Sequence, residues 1–257
     1  MLHQAAGMLI WHTAAAKFST FIDPSMENNT VEVIAIDGPS ATGKSTTAKL
    51  VAKELGYTYL DTGAMYRAVA YLAENGELRV ESSLNLNEIR ISFDKNNQIL
   101  INGVNREGEI RDPRISTVVS KYSAMPYIRE ALTMRQREIG SGQPCVLDGR
   151  DIGTVVFPNA KYKFFLTADY GTRAARRLLE LQAAGKALGE TLESVEKNLR
   201  ERDKADSERE IAPLVKAKDA IEIDTSHITI QQQVQKILQS VGEVARCKHS
   251  LGATRTG

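Results

Sequence analysis

The chain has 257 residues, enough for one α/β domain or for one domain that carries an insertion. Its 33 basic residues nearly balance its 32 acidic residues, so no strong field attracts it to nucleic acid or to a membrane surface. Two cysteines and four histidines are scattered without ligand spacing, which fits a reducing cytosol and argues against a metal site built from protein side chains alone.

Residues 1–30 contain one short apolar run, Met8 to Trp11. The run is too short for a secretory signal, no Lys or Arg precedes it, and no apolar run in the chain is long enough to span a bilayer. We expect residues 1–30 to be a disordered leader, or translation to start at Met26. A buried N-terminal helix is the alternative.

A phosphate-binding loop follows this leader. The β-branched run from Val31 to Ile36 predicts a strand buried on both faces of a parallel sheet. It leads into GPSATGKS, a full match to G-x-x-x-x-G-K-[ST], and then into a helical pattern over 46–55. The residues predicted to bind the triphosphate are Gly38, Pro39, Ser40, Ala41, Thr42, Gly43, Lys44, Ser45 and Thr46.

The chemistry of phosphate binding requires each part of this loop. Its glycines let consecutive N–H groups point at phosphate oxygens, and the helix adds its positive dipole end. Lys44 is placed to reach the β- and γ-phosphates, and the Ser45 hydroxyl can ligate Mg²⁺. A glycine-rich turn without a ligand is the alternative, which the flanking strand and helix disfavour.

A second strand, over 57–60, ends in Asp61-Thr62-Gly63 and precedes a helix predicted from Ala64 to Glu74. Thr62 is placed to cap this helix, and Arg67 lies one turn into it. Because α/β proteins place ligand groups in loops at strand ends, both residues are also candidates for substrate binding.

Residues 76–112 interrupt the alternation of strands and helices. Two short strands, 89–93 and 98–104, are predicted to form a hairpin, which indicates an inserted antiparallel subdomain. Helices are then predicted over 113–123, starting with Pro113, and over 127–139, directly after Pro126.

The strand over 145–148 returns the chain to the core. It ends in Asp148, the position at which phosphate-loop proteins hold the magnesium shell. Arg150 and Asp151 follow at the carboxyl end of the strand, where ligands are expected. A further strand is predicted over 162–166.

Two arginine-bearing helical segments come next. A helix over 170–184, capped by Asp169, carries Arg173, Arg176 and Arg177 on one face. In the charged segment 196–210, most residues are predicted to be solvated. Arg202, Asp206 and Arg209 nevertheless share one helical face, and a carboxylate between two guanidiniums suits a ligand with hydroxyls and phosphates. A last strand over 220–223, a helix over 229–241 ended by Gly242, and a flexible tail over 246–257 complete the prediction.

Four motifs in order resemble those of bacterial cytidylate kinases. They are GPSATGKS, LDTGAMYR at 60–67, DGRDIGTVVFP at 148–158 and RERDKADSEREIAPL at 200–214. The resemblance implies an α/β fold in which helices flank a core of five parallel strands. It also implies a nucleoside-monophosphate-binding insert around 76–112, a helical lid over about 176–210, and one kinase domain over 31–245. The implied reaction transfers the γ-phosphoryl group of ATP to CMP or dCMP with Mg²⁺, in the cytoplasm and in a monomer.

The resemblance also implies individual roles. It assigns Ser120, Arg129 and Asp151 to the cytosine, and Arg202 and Asp206 to the sugar hydroxyls. Phosphate contacts are implied for Arg67, Arg150 and Arg209 with Thr62 beside them, while Arg176 and Arg177 correspond to lid arginines. The expected catalytic residues are Lys44, Arg150, Arg209, Arg176 and Arg177, and the expected metal ligands are Ser45 and Asp148.

Three alternatives stay open at this point. One is another small-molecule kinase that acts on UMP, AMP or shikimate. A second is a GTPase, although the sequence has no guanine-reading N-K-x-D element. A third is an ATP-sensing module without turnover, against which the arginines outside the phosphate loop argue, since a sensor needs no acceptor pocket.

Overall fold

The computed structural model describes residues 31–80, 89–94, 96–187 and 189–252, the last ten of these by their backbone only. The leader predicted over 1–30 and residues 253–257 of the predicted tail lie outside the described residues. No helix of the described part is long and apolar enough to cross a lipid bilayer.

A central sheet of five parallel strands forms the core. Its strands are β1 (Val33–Asp37), β2 (Thr58–Asp61), β6 (Cys145–Gly149), β7 (Tyr162–Thr167) and β8 (Ile221–Asp224). They lie in the order β2-β6-β1-β7-β8, so β1 is central and places the phosphate loop in the middle of the carboxyl edge. The predicted five-stranded parallel core is confirmed.

Helices cover both faces of this sheet. They are α1 (Lys44–Leu55), α2 (Thr62–Glu74), α3 (Glu107–Ile110), α4 (Pro113–Ser123), α5 (Pro126–Ser141), α6 (Tyr170–Ala183), α7 (Leu192–Glu208) and α8 (Ile230–Gly252). Side chains of β1 alternate between the faces: Val33 and Ala35 join a buried cluster with α2, α4 and α5, whereas Ile34 and Ile36 pack against α1 and α8. Both faces are therefore apolar, as the unbroken run in the sequence predicted.

The insert is a small antiparallel sheet of strands β3 (Ile91–Phe93), β4 (Ile99–Ile101) and β5 (Val104–Asn105). The predicted hairpin is confirmed, and a third strand extends it. Asn102 and Gly103 connect β4 to β5 with φ angles of 52° and 82°, and this pair of positive angles is typical of a tight hairpin turn. The Asn-Gly pair was a sequence signal for the third strand.

Two further differences concern helix ends. Helix α8 continues through Gly242 to Gly252, so the end predicted at Gly242 is wrong, and residues 246–252 of the predicted tail have helical backbone. A single glycine inside a helix costs only about 1 kcal/mol relative to alanine, and no proline follows to end the helix. Helix α2 begins at Thr62 rather than at Ala64.

Helices α6 and α7 occupy most of the region for which a lid is predicted. They pack against each other through Ala174 and Leu181 on α6 and through Val195 and Leu199 on α7. Asp169 caps α6 by accepting a hydrogen bond from the Thr172 N–H, as predicted.

Candidate active site

The phosphate loop connects β1 to α1 in a conformation that depends on glycine. Gly38 has a φ of 145°, and a Cβ at this position would collide with the Leu166 carbonyl oxygen of β7. Gly43 has a φ of 89° and directly precedes α1. These two glycines let the backbone curl closely against the sheet and turn into the helix, which is the geometry that an anion-binding loop needs.

Lys44 is buried at the base of this loop. Its Nζ donates to the Pro39 carbonyl oxygen at 2.6 Å, so the ammonium lies inside the curl of the backbone. Burial, together with the positive charge of Arg150, lowers the pKa of Lys44 to about 7. A bound polyphosphate would supply negative charge next to the ammonium and would stabilise its protonated form.

Ser45 and Asp148 lie side by side at the start of α1 and the end of β6. The Ser45 hydroxyl donates to Asp148 Oδ2 at 2.7 Å, and the Tyr59 hydroxyl donates to Oδ1 at 2.8 Å. Burial, together with the neighbouring charge of Asp61, raises the pKa of Asp148. Among the described residues no group of three His, Cys, Asp or Glu side chains could hold a metal ion. The pair fits Mg²⁺, which takes one or two protein oxygens and otherwise keeps water and substrate phosphates.

The cap of α2 differs from the prediction. Asp61, not Thr62, is the N-cap, because its carboxylate accepts from the Ala64 N–H at 2.8 Å. The Thr62 hydroxyl instead donates to the Asp148 carbonyl oxygen at 2.7 Å and ties the start of α2 to β6. Thr62 therefore lies directly beside the pair of Ser45 and Asp148.

Asp61 also forms ion pairs with two arginines. Arg67 lies 3.4 Å and Arg111 lies 2.6 Å from its Oδ2. Burial opposes ionisation of Asp61, but these two charges outweigh it and lower its pKa. Arg111 comes from the insert and was not predicted as a site residue. Its contact with Asp61 connects the insert to the carboxyl edge of the sheet.

Arg150 bridges the phosphate loop and α7. Its Nε donates to Asp206 Oδ2 at 2.9 Å, and a terminal nitrogen donates to the Ser40 hydroxyl at 2.7 Å. The charges of Arg150 and Arg202 help to lower the pKa of Asp206 against the effect of burial. The structure thus brings Arg150 of one motif beside Arg202 and Asp206 of another, a contact that the sequence did not predict.

A second buried carboxylate lies between two arginines. Asp151 pairs with Arg129 of α5 and, at 3.6 Å, with Arg209 at the end of α7. Arg129 also donates to the Ser123 carbonyl oxygen at 3.1 Å. These groups come from three separate elements, and all three side chains are at least 95% buried. Their role in reading a base stays a prediction.

Asp37, at the end of β1, fixes the backbone that follows Asp151. Its carboxylate accepts from the N–H groups of Ile152 and Gly153 at 2.9 and 2.8 Å, at the start of a π-helical turn over Ile152–Val156. Burial raises the pKa of Asp37 to about 7, although these two donors act in the opposite direction. The sequence did not predict this turn or the role of Asp37.

Ser120 and Arg202 line a cavity of about 250 Å³ between α4, α6 and α7. Arg177 lines the same cavity and pairs with Glu180 at 3.2 Å. The Nε atom of Arg202 is buried without a hydrogen-bond partner among the described residues. Burial and the charge of Arg150 lower the pKa of Arg202 to about 10. Arg202 as a whole is half-buried, and the donor that it leaves unsatisfied is its buried Nε.

The arginines of α6 reach three different neighbours. Arg173 is buried and pairs with Asp203 of α7 at 2.5 Å, while also donating to the Ser40 carbonyl oxygen at 3.2 Å. Arg176 donates to the Thr225 carbonyl oxygen at 2.6 Å, and the third arginine is the cavity-lining Arg177. The sequence predicted that the three arginines lie on one helix, but it did not predict that each contacts a different part of the protein.

Comparison with known proteins identifies the family. A family model described as cytidylate kinase matches residues 34–243. The cytidylate kinase of Thermosipho melanesiensis is 48% identical over 217 residues, which cover 84% of this chain and 98% of that protein. The cytidylate kinase of Ligilactobacillus salivarius is 46% identical over 217 residues, covering 82% and 96%. The resemblance found in the four motifs is confirmed, and the chain belongs to the cytidylate kinase family.

Proposed function

We propose that the chain transfers the γ-phosphoryl group of ATP to CMP or dCMP, giving ADP and CDP or dCDP. Phosphoryl transfer asks a protein mainly for alignment and for positive charge around the migrating group. The observation that carries this proposal is the buried cluster of Arg129, Asp151 and Arg209. Asp151 of this cluster directly follows Arg150, whose guanidinium donates to the Ser40 hydroxyl of the phosphate loop.

The donor side would be bound by the phosphate loop. Its backbone N–H groups and Lys44 would hold the β- and γ-phosphates, and Arg176 and Arg177 would approach them from the lid. Ser45 and Asp148 would hold Mg²⁺ together with phosphate oxygens, and their 2.7 Å contact supports this assignment. When bound, Mg²⁺ neutralises phosphate charge and aligns the reacting oxygens.

The acceptor base would lie at Asp151. Cytosine offers a ring nitrogen and a carbonyl as acceptors and an exocyclic amine as a donor. Arg129 and Ser120 can donate to the first two, and the Asp151 carboxylate can accept from the amine. Uracil carries a carbonyl in place of that amine, so it would face the carboxylate with no proton to donate.

The acceptor sugar and phosphate would be bound by the remaining polar groups. Arg202 and Asp206 would hold the sugar hydroxyls, and the unsatisfied Nε of Arg202 supports a ligand there, since a buried donor without a partner is costly. Arg67, Arg150 and Arg209, with Thr62 beside them, would surround the acceptor phosphate. All of these lie at the carboxyl edge of the sheet or in the adjoining helices, the usual ligand position in open α/β sheets.

We further propose a cytoplasmic monomer whose partners are small molecules. The near balance of 33 basic and 32 acidic residues supports the absence of nucleic-acid and membrane partners. Analytical ultracentrifugation of the full chain would test the monomer, and a concentration-dependent dimer would contradict it.

A coupled ADP-release assay tests the reaction. With saturating MgATP, CMP and dCMP should give the highest kcat/KM in a panel that also contains UMP, AMP, GMP and shikimate. Lys44→Ala is the control for a contaminating kinase, because losing its charge should lower kcat about a hundredfold for every acceptor. Equal turnover of CMP and AMP, or undiminished turnover by Lys44→Ala, would contradict the proposal.

A further inference from the structure

Hydroxyl groups from three elements converge on Asp148. Ser45 of α1 donates to one carboxylate oxygen at 2.7 Å, and Tyr59 of β2 donates to the other at 2.8 Å. Thr62 donates to the backbone carbonyl of the same residue. Because each carboxylate oxygen receives a separate donor, the plane of the carboxylate is fixed in one orientation.

Tyr59 owes this contact to the register of the sheet. It lies on β2 opposite Val146 of β6, two positions before Asp61 pairs with Asp148. Tyr59 is 6% exposed and belongs to the core cluster that packs against α1 and α8. The phenol therefore reaches Asp148 from the buried core, whereas the Ser45 hydroxyl reaches it from an exposed residue.

The phenol has no part in the phosphate, sugar or base contacts proposed above. Asp148 Oδ1 is the acceptor that the structure gives it. Packing alone would be served equally well by phenylalanine, and a buried tyrosine hydroxyl is retained at little cost only where it has a partner. The hydroxyl thus serves to bind the Asp148 carboxylate and is not needed for packing of the core.

We propose that Tyr59 is a positioning residue of the magnesium site: its hydroxyl orients the Asp148 carboxylate beside Ser45 and thereby raises the affinity of the site for Mg²⁺. The inference rests on the proposed function, which places Mg²⁺ at Ser45 and Asp148. With Tyr59 donating to Oδ1, the carboxylate keeps Oδ2 turned toward the Ser45 hydroxyl, where the proposed metal site lies.

The test is a magnesium titration of Tyr59→Phe. Metal-free full-length protein with a fixed ADP concentration is titrated with Mg²⁺, and the rise in melting temperature is referred to each variant's own metal-free value. The half-maximal Mg²⁺ concentration should increase roughly tenfold, the lower end of the effect of losing a group that orients a metal ligand. At saturating Mg²⁺ the KM for CMP should match that of the wild type.

Tyr57→Phe is the matched control. It removes a phenol that donates to Glu32 at 2.7 Å, away from the metal-site pair, and it should leave the magnesium requirement unchanged. In an Asp148→Asn background, Tyr59→Phe should cause no further shift, because the oriented carboxylate is already absent.

Three results would overturn the inference. An unchanged half-maximal Mg²⁺ concentration in Tyr59→Phe would exclude the positioning role. An equal shift in Tyr57→Phe would show that the loss of any phenol in this part of the chain weakens Mg²⁺ binding. A wild type that ADP stabilises equally with and without Mg²⁺ would instead exclude the magnesium site itself, a failure of the proposed function that is distinguishable from the first two.

Discussion

At the scale of single residues, the burial of Lys44 should couple nucleotide binding to the uptake of a proton. Its pKa of about 7 in the free protein reflects burial and the charge of Arg150, so at pH 8.5 the side chain is mostly neutral. Bound phosphates favour the charged form and raise this pKa. Binding of ADP at pH 8.5 should therefore take up close to one proton, and this uptake should disappear as the pH falls below about 6, where Lys44 is already protonated.

Calorimetry in two buffers of different ionisation enthalpy measures this proton uptake. Lys44→Ala should lose it, and Lys49→Ala, on the exposed side of the same helix, serves as the control. Unchanged uptake in Lys44→Ala would assign the proton to another group.

Asp151 should control the preference for cytosine over uracil. In the wild type, a uracil carbonyl facing this carboxylate would cost about 2–4 kcal/mol, because it repels a buried charge. Asp151→Asn should therefore lower kcat/KM for CMP and narrow the ratio of CMP to UMP, since an amide can donate to uracil. Asp206→Ala is the control, as it should weaken both substrates without changing their ratio. The base-reading assignment would be wrong if Asp151→Asn kept the wild-type ratio.

Residues of the phosphate loop could be predicted because they are consecutive and their chemistry depends on spacing alone. The contacts of Tyr59 and Asp37 could not be predicted, since they depend on which strands are neighbours and in what register. The N-cap of α2 could not be predicted for a similar reason, because a contact with a residue distant in sequence determines it. Asp61 and Thr62 are both good N-caps, and the Asp148 carbonyl, distant in sequence, decides between them by accepting from the Thr62 hydroxyl.

At the scale of elements, α1 and α8 are joined by a buried polar pair. The Thr47 hydroxyl donates to Gln233 Oε1 at 2.7 Å, both residues are fully buried, and Gln233 Nε2 has no partner in the described part of the chain. Thr47→Val should lower the free energy of unfolding by about 1–3 kcal/mol, because it leaves a buried carbonyl unsatisfied. Adding Gln233→Leu should restore most of this loss by removing both polar partners.

Urea unfolding of the two single variants and the double variant measures the coupling. Gln235→Leu makes the same change on the exposed side of α8 and should have little effect. Strictly additive single-variant effects would show that the hydrogen bond contributes nothing.

Elements with strong local signals were predictable, such as α4 with its Asp112 cap and Pro113. Helix α8 shows the opposite case, because the cost of Gly242 is small beside the burial of Val234, Ile237 and Val241 against the sheet. The turn over Ile152–Val156 has no local signal, since the Asp37 carboxylate that holds its first N–H groups belongs to another strand.

At the scale of the molecule, the region of α6 and α7, predicted to be a lid, contacts both the phosphate loop and the insert. Arg173 donates to the Ser40 carbonyl oxygen of the phosphate loop, and Arg176 donates to Thr225, whose hydroxyl donates to the Thr42 carbonyl oxygen of that loop. Lys186, between α6 and α7, lies 3.5 Å from the Gly108 carbonyl oxygen of the insert. We expect ATP and a CMP analogue together to hold the lid against the insert and to exclude water from the transfer site.

Tryptic cleavage after Lys186, followed by mass spectrometry, measures this closure. Cleavage should slow about tenfold with both ligands present and less with either alone. Cleavage after Lys218, in the exposed loop before β8, is the internal control. Equal rates at Lys186 with and without ligands would contradict a moving lid.

The central position of β1 has a consequence for the order in which the molecule forms. Its hydrogen-bonded neighbours are β6 and β7, with Val33 opposite Cys145 and Ile34 opposite Tyr162. During synthesis, β1 and its glycine loop leave the ribosome long before either neighbour exists. The apolar run Val33–Ile36 stays without a partner strand until more than half of the chain has emerged, a state that chaperones protect from aggregation. We therefore expect a nascent chain that ends before Cys145 to contain the complete phosphate-binding motif without the neighbouring strands that hold it in place.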